Sequence, residues 1–362
     1  MEDLGVNGLF NNAFKGKTVL VTGHTGFKGS WLCIWLRELG ANVTGYAFEP
    51  YTENDNFVVS GMKSKIRSNI GDIRDYDNLK RVIDEYQPEI VFHMAAQPLV
   101  RLSYEQPKLT YDTNVGGTVN LLECCRLTDS VKVIINVTSD KCYENKEWIW
   151  GYRENDTLGG YDPYSSSKGC SEIITAAYRN SFFKMSNKSL SSVRAGNVIG
   201  GGDWREDRLV PDCIRALKKG EPVGIRSPHS VRPWQHVLEP LSGYLLLASR
   251  MYEDGERYSG AWNFGPYHGS IITVEELVTR LISRWGSGQY TDLSRQSPEA
   301  PHESSSLMLD ISKAINLLSW APILNVSEAI EYTVNWYKAP HVDYEFCAGQ
   351  INDYAALLTQ KS

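Results

Sequence analysis

The sequence of 362 residues has no C-x-x-C pair among its seven cysteines, which stand at 33, 124, 125, 142, 170, 213 and 347. An odd, scattered set argues against a disulfide framework, and it reads as reduced, mostly buried thiols in a cytoplasmic protein. No apolar run approaches the ~20 residues of a membrane-spanning helix. Residues 1–17 lack the apolar core of a signal peptide, so no membrane partner is expected. There is no surplus of positive charge: 37 Lys and Arg stand against 43 Asp and Glu, for a net charge of −6. That balance argues against a nucleic-acid partner and leaves room only for a local basic pocket. Internal repeats and low-complexity tracts are missing too. Asn136-Val137-Thr138 matches a glycosylation sequon, but it falls in an apolar run that reads as a buried strand. No cluster of metal-ligating residues stands out, and none is expected.

What remains is an ordinary globular mixture, 42% hydrophobic and 22% charged, in a chain long enough for two packed lobes. Residues 17–22 read as a short buried strand. A G-x-x-G-x-x-G turn follows, Gly23-His24-Thr25-Gly26-Phe27-Lys28-Gly29, and leads into a helical stretch over 30–39 that stops at Gly40. Strand, glycine-rich turn and helix in that order are the dinucleotide-binding fingerprint in its proper context. The glycines let the backbone approach a pyrophosphate, and the helix N-terminus offers amides and a favourable dipole. Gly23, Thr25, Gly26, Phe27, Lys28 and Gly29 are therefore candidate cofactor contacts.

Residues 42–47 form a second strand. An acid that holds the adenosine ribose is expected ~20 residues beyond the glycines, and Glu49 lies there. No Arg follows to accept a 2′-phosphate, which favours NAD over NADP. A third strand ends near Asp72 and Ile73, with Asp72 a candidate for the adenine amine. Asp75 caps a helix whose apolar set is Leu79, Val82, Ile83 and Tyr86, and Pro88 ends it. Residues 90–96 make a fourth buried strand, whose small Ala95 and Ala96 leave room for the cofactor. A helix from Thr113 to Leu127 and a fifth strand over 131–138 continue the alternation. The pattern predicts an α/β fold: a doubly wound parallel (Rossmann) sheet with ligands beyond the carboxyl ends of its strands.

The fifth strand delivers Ser139, Asp140 and Lys141 to that end. Downstream, Asp162-Pro163 is a helix start, the Asp capping free amides and the Pro filling the first position. Tyr164 and Lys168 then share one helical face. A tyrosine has a free pKa of ~10, and bringing it to ~7 takes about 4 kcal/mol of preferential stabilisation of the phenolate. A neighbouring ammonium and a cationic nicotinamide ring are groups able to supply it.

Six blocks carry a family resemblance: Thr22–Gly29, His93–Arg101, Thr138–Tyr143, Gly159–Tyr164, Arg194–Trp204 and Arg232–Val237. They resemble the nucleotide-sugar branch of the extended short-chain dehydrogenase/reductase family, and within it the 4,6-dehydratases that act on CDP-hexoses. The likeness runs from about residue 17 into the 300s. Related TDP-glucose dehydratases have Thr-Asp-Glu where this chain has Ser139-Asp140-Lys141, and 4-epimerases usually carry small residues in place of the Asp and Lys. The resemblance implies that Tyr164, assisted by Lys168, takes the C4 hydroxyl proton while Ser139 bonds the C4 oxygen. Lys141 then removes the C5 proton, and Asp140 protonates the departing C6 hydroxyl.

Asn197, just past a sixth strand over 190–194, is a candidate contact for the substrate diphosphate, and Arg208, Arg226 and Arg232 are the cations aimed at it, because guanidinium matches phosphate oxygens bidentately. Gln97 is a further substrate-contact candidate, and Glu303 resembles a position near the nucleotide. Gly200–Trp204 reads as a flexible loop at the cleft mouth. Residues 1–195, with a return segment near 234–262, are assigned to the cofactor lobe. Residues 196–233 and 263–362 are assigned to a smaller mixed α/β C-terminal substrate lobe. A homodimer or homotetramer is implied, through the helices after Thr110 and Pro163. The competing readings are another nucleotide-sugar 4,6-dehydratase, a 4-epimerase or plain dehydrogenase, and a non-catalytic NAD-binding scaffold.

Overall fold

A strand flanked by helices on both faces of its sheet is apolar throughout rather than alternating, and the 17–22 run has that character. In the computed structural model, which describes residue 6, residues 8–294 and residues 306–361, it forms β1 (Thr18–Thr22), buried over its last four residues. Six more parallel strands complete the sheet: β2 (Asn42–Ala47), β3 (Arg67–Ile70), β4 (Ile90–His93), β5 (Val133–Val137), β6 (Ser189–Arg194) and β7 (Gly260–Asn263). Their spatial order is β7-β6-β5-β4-β1-β2-β3. The chain first builds outward from β1 through β2 and β3, then returns to lay β4 on the opposite side of β1. That reversal opens a crevice at the carboxyl ends of β1 and β4.

Helices α1 (Phe27–Glu38), α2 (Tyr76–Tyr86), α3 (Gly117–Arg126) and α4 (Pro163–Tyr178) cover the sheet. Two of them, α2 and α4, start at an aspartate that accepts from their free amides. Asp75 accepts from Asn78 N at the head of α2, and Asp162 accepts from Ser165 N at the head of α4, with Pro163 in the first turn. β4 is shorter than the sequence suggests. Thr22 Oγ1 accepts from the amides of Met94 and Ala95, at 3.1 and 3.2 Å, and so turns the chain out of the ladder after His93. The helix expected from Thr113 begins earlier, at Pro107, and passes through a π-turn over Asp112–Gly116 before α3.

The second lobe carries α5 (Leu209–Lys219), α6 (Leu238–Glu253), α7 (Val274–Trp285) and α8 (Val326–Lys338), with three two-stranded pairings. Of these, α6 packs back against β5 and β6. The last helix, α9 (Tyr344–Lys361), lies on α1 instead of in the second lobe where its position in the chain suggested. Trp35 and Tyr354 meet edge to face at 5.7 Å, and Tyr344 donates to Glu38 at 2.6 Å.

Gly200–Asp203 is buried and pinned, not a flexible loop. Trp31 Nε1 donates to Gly201 O at 2.9 Å, Asn56 N to Gly202 O at 3.3 Å, and Tyr337 to Asp203 O at 2.6 Å. A Cβ on Gly201 would lie 1.9 Å from Trp336 Cγ, so the glycines here serve close packing. Among the described residues no helix is long and apolar enough to cross a membrane. The sequon Asn136 is 1% exposed, with its amide donating to Ser171 and Thr175 of α4.

One buried ion pair ties these elements together. Glu172 on α4 accepts from Arg194 at the end of β6 (2.8 Å), from Ser192 (2.6 Å) and from Thr138, and both members of the pair are 2% exposed. Arg194 also donates to the Tyr143 hydroxyl at 2.6 Å, and Tyr143 in turn donates to Asn263 of β7 at 2.8 Å. Burial alone would push the Glu172 carboxyl up; Arg194 and the two hydroxyls outweigh it, and the group titrates below its ordinary value of 4.5. Replacing Glu172 with Ala strands a guanidinium in the interior, which costs about 3–5 kcal/mol. Urea denaturation measures this loss, and a change under about 1 kcal/mol would show the pair to be incidental. Because the folded pKa is depressed, the contribution is fully present above about 4.5 and is lost as pH falls further. In Glu172→Gln that acid-side dependence should flatten.

Candidate active site

The crevice at the carboxyl ends of the strands is one continuous cleft of roughly 950 Å³. Its first arm is built by the turn between β1 and α1. Gly23 has φ +74°, and a Cβ there would lie 2.8 Å from Ala95 N; a Cβ on Gly29 would lie 2.1 Å from Gly23 O. Neither position tolerates a side chain. Gly26 caps α1 without contributing a side chain of its own, so the first amides of the helix face the cleft. Thr25 Oγ1 donates to Phe48 O at 2.8 Å and holds the turn to the end of β2. His24 lies inward, bonded to Ser68 at 2.8 Å, with its ring filling the space that Gly45 leaves open. Burial brings His24 down to about 4, so it is neutral at physiological pH.

Gly23, Thr25, Gly26, Phe27, Lys28, Gly29, Glu49, Ile73, Ala95 and Ala96 all line this arm. Asp72 does not. Its carboxylate is turned onto Arg74, whose Nε approaches the two oxygens at 3.0 and 2.8 Å, and it also accepts the Arg74 amide at 2.9 Å. The pairing with a residue two positions on is a turn feature, and it removes Asp72 from the set facing the cleft.

The centre of the cleft joins the end of β5 to the start of α4. Ser139 donates to Asp140 Oδ1 at 2.8 Å, accepts the Lys141 amide at 3.2 Å, and is within hydrogen-bonding reach of the Tyr164 phenol. Asp140 is 3% exposed, and its carboxyl lies flat on Gly196, where a Cβ would be 1.9 Å from Oδ2. Lys141 is half-buried and lines the cleft beside it. Tyr164 and Lys168 are 8% and 6% exposed, and Lys168 Nζ donates to Val137 O at 3.4 Å. All five expected groups thus face one space.

Their electrostatics differ from expectation in one respect. Burial pushes the Tyr164 phenol up to about 12, against the Ser139 hydrogen bond that favours its ionisation. Lys168 is itself brought down to about 8 by burial and by Lys28, and so contributes less fixed positive charge than its type suggests. Lys28 also falls to about 8, through burial and Arg208, with Asp140 and Asp203 opposing. Burial thus outweighs the Ser139 hydrogen bond and the Arg208 charge, which both favour the phenolate.

The second arm is lined by Asn197, Arg208, Arg226 and Arg232. Asn197 takes a left-handed backbone, φ +50°, just before the short strand Val198–Ile199 that pairs with Gln235–His236. Arg208 donates to buried Asp203 at 2.8 Å. Gln97 turns into the protein, donating to Leu99 O and Thr110 Oγ1 at 3.0 and 2.9 Å, while its backbone amide donates to Asn114 at 2.8 Å. It shapes the loop after β4 and does not face the cleft. Asn114, in the π-turn, extends the link by donating to Ser167 of α4 at 2.8 Å. Glu303 lies outside the described residues.

Three features escaped the sequence reading: the seat of Asp140 on Gly196, the influence of Lys28 on Lys168, and the facing of Asp203 and Arg101 into the cleft. Lys28, Arg101, Gly196 and Asp203 all stand in the six blocks named above, but their contacts join positions far apart in the chain, and spacing offered no signal for those. The seven cysteines are free, six of them buried. Among the described residues, no group of three or more His, Cys, Asp or Glu is placed to hold a metal ion.

With that geometry in view, comparison with known proteins is specific. The CDP-glucose 4,6-dehydratase of Salmonella typhimurium is 51% identical over 357 residues, covering 96% of this chain and 99% of that protein. Among solved structures, a UDP-glucose 4-epimerase of Thermotoga maritima with UDP-glucose matches with TM-score 0.75 and 25% identity, over 89% of this chain and 98% of the other. A dTDP-glucose 4,6-dehydratase of Bacillus anthracis in complex with NAD shares the fold, with TM-score 0.72 and 23% identity over 89% and 97% of the two chains. The GDP-mannose 4,6 dehydratase family model matches residues 20–333, and the chain belongs to that family.

Proposed function

We propose that the protein is an NAD-dependent CDP-glucose 4,6-dehydratase, a hydro-lyase that forms CDP-4-keto-6-deoxyglucose for deoxysugar biosynthesis. The observation that carries this reading is the joint placement of Asp140 and Lys141 with Ser139, Tyr164 and Lys168 in one cleft. A 4-epimerase needs only the last three. The half-identical relative of the same length names the same reaction.

The first arm fits NAD. Side-chain-free glycines and the uncapped start of α1 suit a pyrophosphate. Exposed Glu49 at the end of β2 suits a ribose diol and repels a 2′-phosphate. Bound NAD supplies a hydride acceptor that returns what it takes, so the net reaction is redox-neutral. Tyr164 accepts the C4 hydroxyl proton, with Ser139 bonding the same oxygen and Lys168 holding the phenolate side. Once C4 is a ketone the C5 proton is acidic, and Lys141 removes it as a general base. Asp140, shielded from water on Gly196, gives a proton to the C6 hydroxyl as that group leaves, and C5 is finally reprotonated. Asn197 and Arg232 are assigned to the substrate in the second arm. Exposed Tyr104, Tyr111 and Ile173 on the helices after β4 and on α4 suit a homodimer or homotetramer contact, and the protein is assigned to the cytoplasm.

Incubating the protein with CDP-, TDP-, UDP- and GDP-hexoses and following loss of water by mass tests the reading; loss from none of them would refute it. Lys141→Met should still oxidise C4 yet release no water, seen as NADH absorbance without a mass change. Dehydration at a normal rate would remove Lys141 from its role. Tyr164→Phe should lower turnover by about 10²–10⁴-fold, measured as kcat at saturating substrate.

Lys168 carries a stability signature as well. Its folded pKa of about 8 lies below the ordinary 10.5, so its charged form is disfavoured by the fold. Below pH 8 that penalty is fully present, and stability should rise as pH climbs from about 8 towards 10.5, where the unfolded chain binds more protons. Lys168→Met should thus be inactive yet more stable at pH 7, by an amount on the order of 1–3 kcal/mol. Thermal melts across pH check this, and a less stable variant would contradict it.

A further inference from the structure

Two arginines from opposite walls of the cleft converge on one carboxylate. Arg101, in the helix Val100–Glu105 after β4, lies 3.1 Å from Asp207 Oδ1. Arg226, just beyond the strand Val223–Ile225 of the second lobe, lies 3.5 Å from the same oxygen. All three side chains line the cleft, and they keep between 35% and 48% exposure. Asp207 stands in left-handed backbone, φ +59°, which few residues other than Gly, Asn and Asp adopt readily. Its neighbour Arg208 turns the opposite way, onto Asp203, and its charge bears on Tyr164. Asp207, next in the chain to Arg208, thus faces the same cleft as the candidate substrate contacts Asn197, Arg208 and Arg232.

A carboxylate in that place would repel a diphosphate. A phosphate group, in turn, offers each guanidinium a planar, two-point contact and more charge than a single carboxylate oxygen shared between two forks. Partly exposed ion pairs such as these are weak and exchange readily. We propose that Arg101 and Arg226 are the seat of the substrate's diphosphate, and that Asp207 occupies this seat until the diphosphate displaces it. The proposal deepens the nucleotide-sugar reading and rests on it for the identity of the ligand. Asp207 then acts as a selectivity filter: a ligand must bring enough negative charge to outcompete it, so neutral sugars and singly charged esters are excluded.

Inorganic pyrophosphate is the probe, because it carries the diphosphate without base or sugar. Its binding is measured by calorimetry on the intact protein and on Asp207→Asn, Arg101→Met, Arg226→Met and the double variant Asp207→Asn/Arg226→Met. Asn keeps the shape and tolerates the left-handed backbone, so Asp207→Asn should bind pyrophosphate about three- to tenfold tighter. Each arginine variant should bind it more weakly, and the gain from Asp207→Asn should shrink when Arg226 is gone, since the two groups act on each other. The KM for CDP-glucose should follow the same order. Unchanged or weaker binding by Asp207→Asn overturns the proposal, as does unchanged binding by both arginine variants. If the pyrophosphate pattern appears while no nucleotide hexose loses water, the seat stands and the assigned reaction falls.

Discussion

The buried pair of Glu172 and Arg194 is the constraint on which the active centre depends. Its members join α4 to the end of β6, and the same carboxylate accepts from Thr138, the residue immediately before Ser139. The helix that carries Tyr164 and Lys168 is thereby registered against the strand end that carries Ser139, Asp140 and Lys141. Two charges out of water are costly unless each finds several partners. Here Glu172 has three donors, and Arg194 extends the network through Tyr143 to Asn263 on the outermost strand. An apolar contact could hold the same two elements together, but it would slide. Directional bonds do not, and acid–base chemistry on a sugar needs groups placed to within a fraction of an ångström.

Around that frame, the cleft concentrates positive charge at the expense of stability. Burial disfavours the charged forms of Lys28 and Lys168, and Lys28 further disfavours that of Lys168. Arg208 adds to the crowding, and Asp140 and Asp203 only partly offset it. Such congestion makes sense where anionic ligands are to be drawn in. Farther out, Asp207 pairs with both Arg101 and Arg226, so there the crowding of positive charge is partly offset by a carboxylate. Tyr164 remains a weak acid because burial outweighs the Ser139 hydrogen bond and the nearby Arg208 charge, both of which favour the phenolate.

Much of the fold was legible because the signals were local. The glycine turn between β1 and α1, the Asp75 and Asp162 caps, and the Val- and Ile-rich buried runs of β4 and β5 are each set by residues within one turn of helix or one strand. The misreadings have tertiary causes. Gly200–Gly202 looked mobile because glycine is permissive, yet Trp336 and Asn56 press on those positions and require its small size. The assignment of α9 to the second lobe followed its place in the chain, but Trp35 on α1 supplies its docking surface. Asp72 and Gln97 have a more local cause: Arg74, two residues on, holds the first, and Leu99 and Thr110 hold the second.

By itself the sequence determined the alternation of strand and helix and the dinucleotide turn, and it picked out five polar groups that line one cleft, because spacing within an element follows from backbone geometry alone. Only the tertiary structure decided how those groups meet. It laid Asp140 on Gly196, brought Lys28 from the first helix towards it, and set Arg101 and Arg226 on opposite walls around Asp207. These contacts join residues tens to hundreds of positions apart, and no periodicity encodes a distance that arises only when β1 and β4 part to form the crevice.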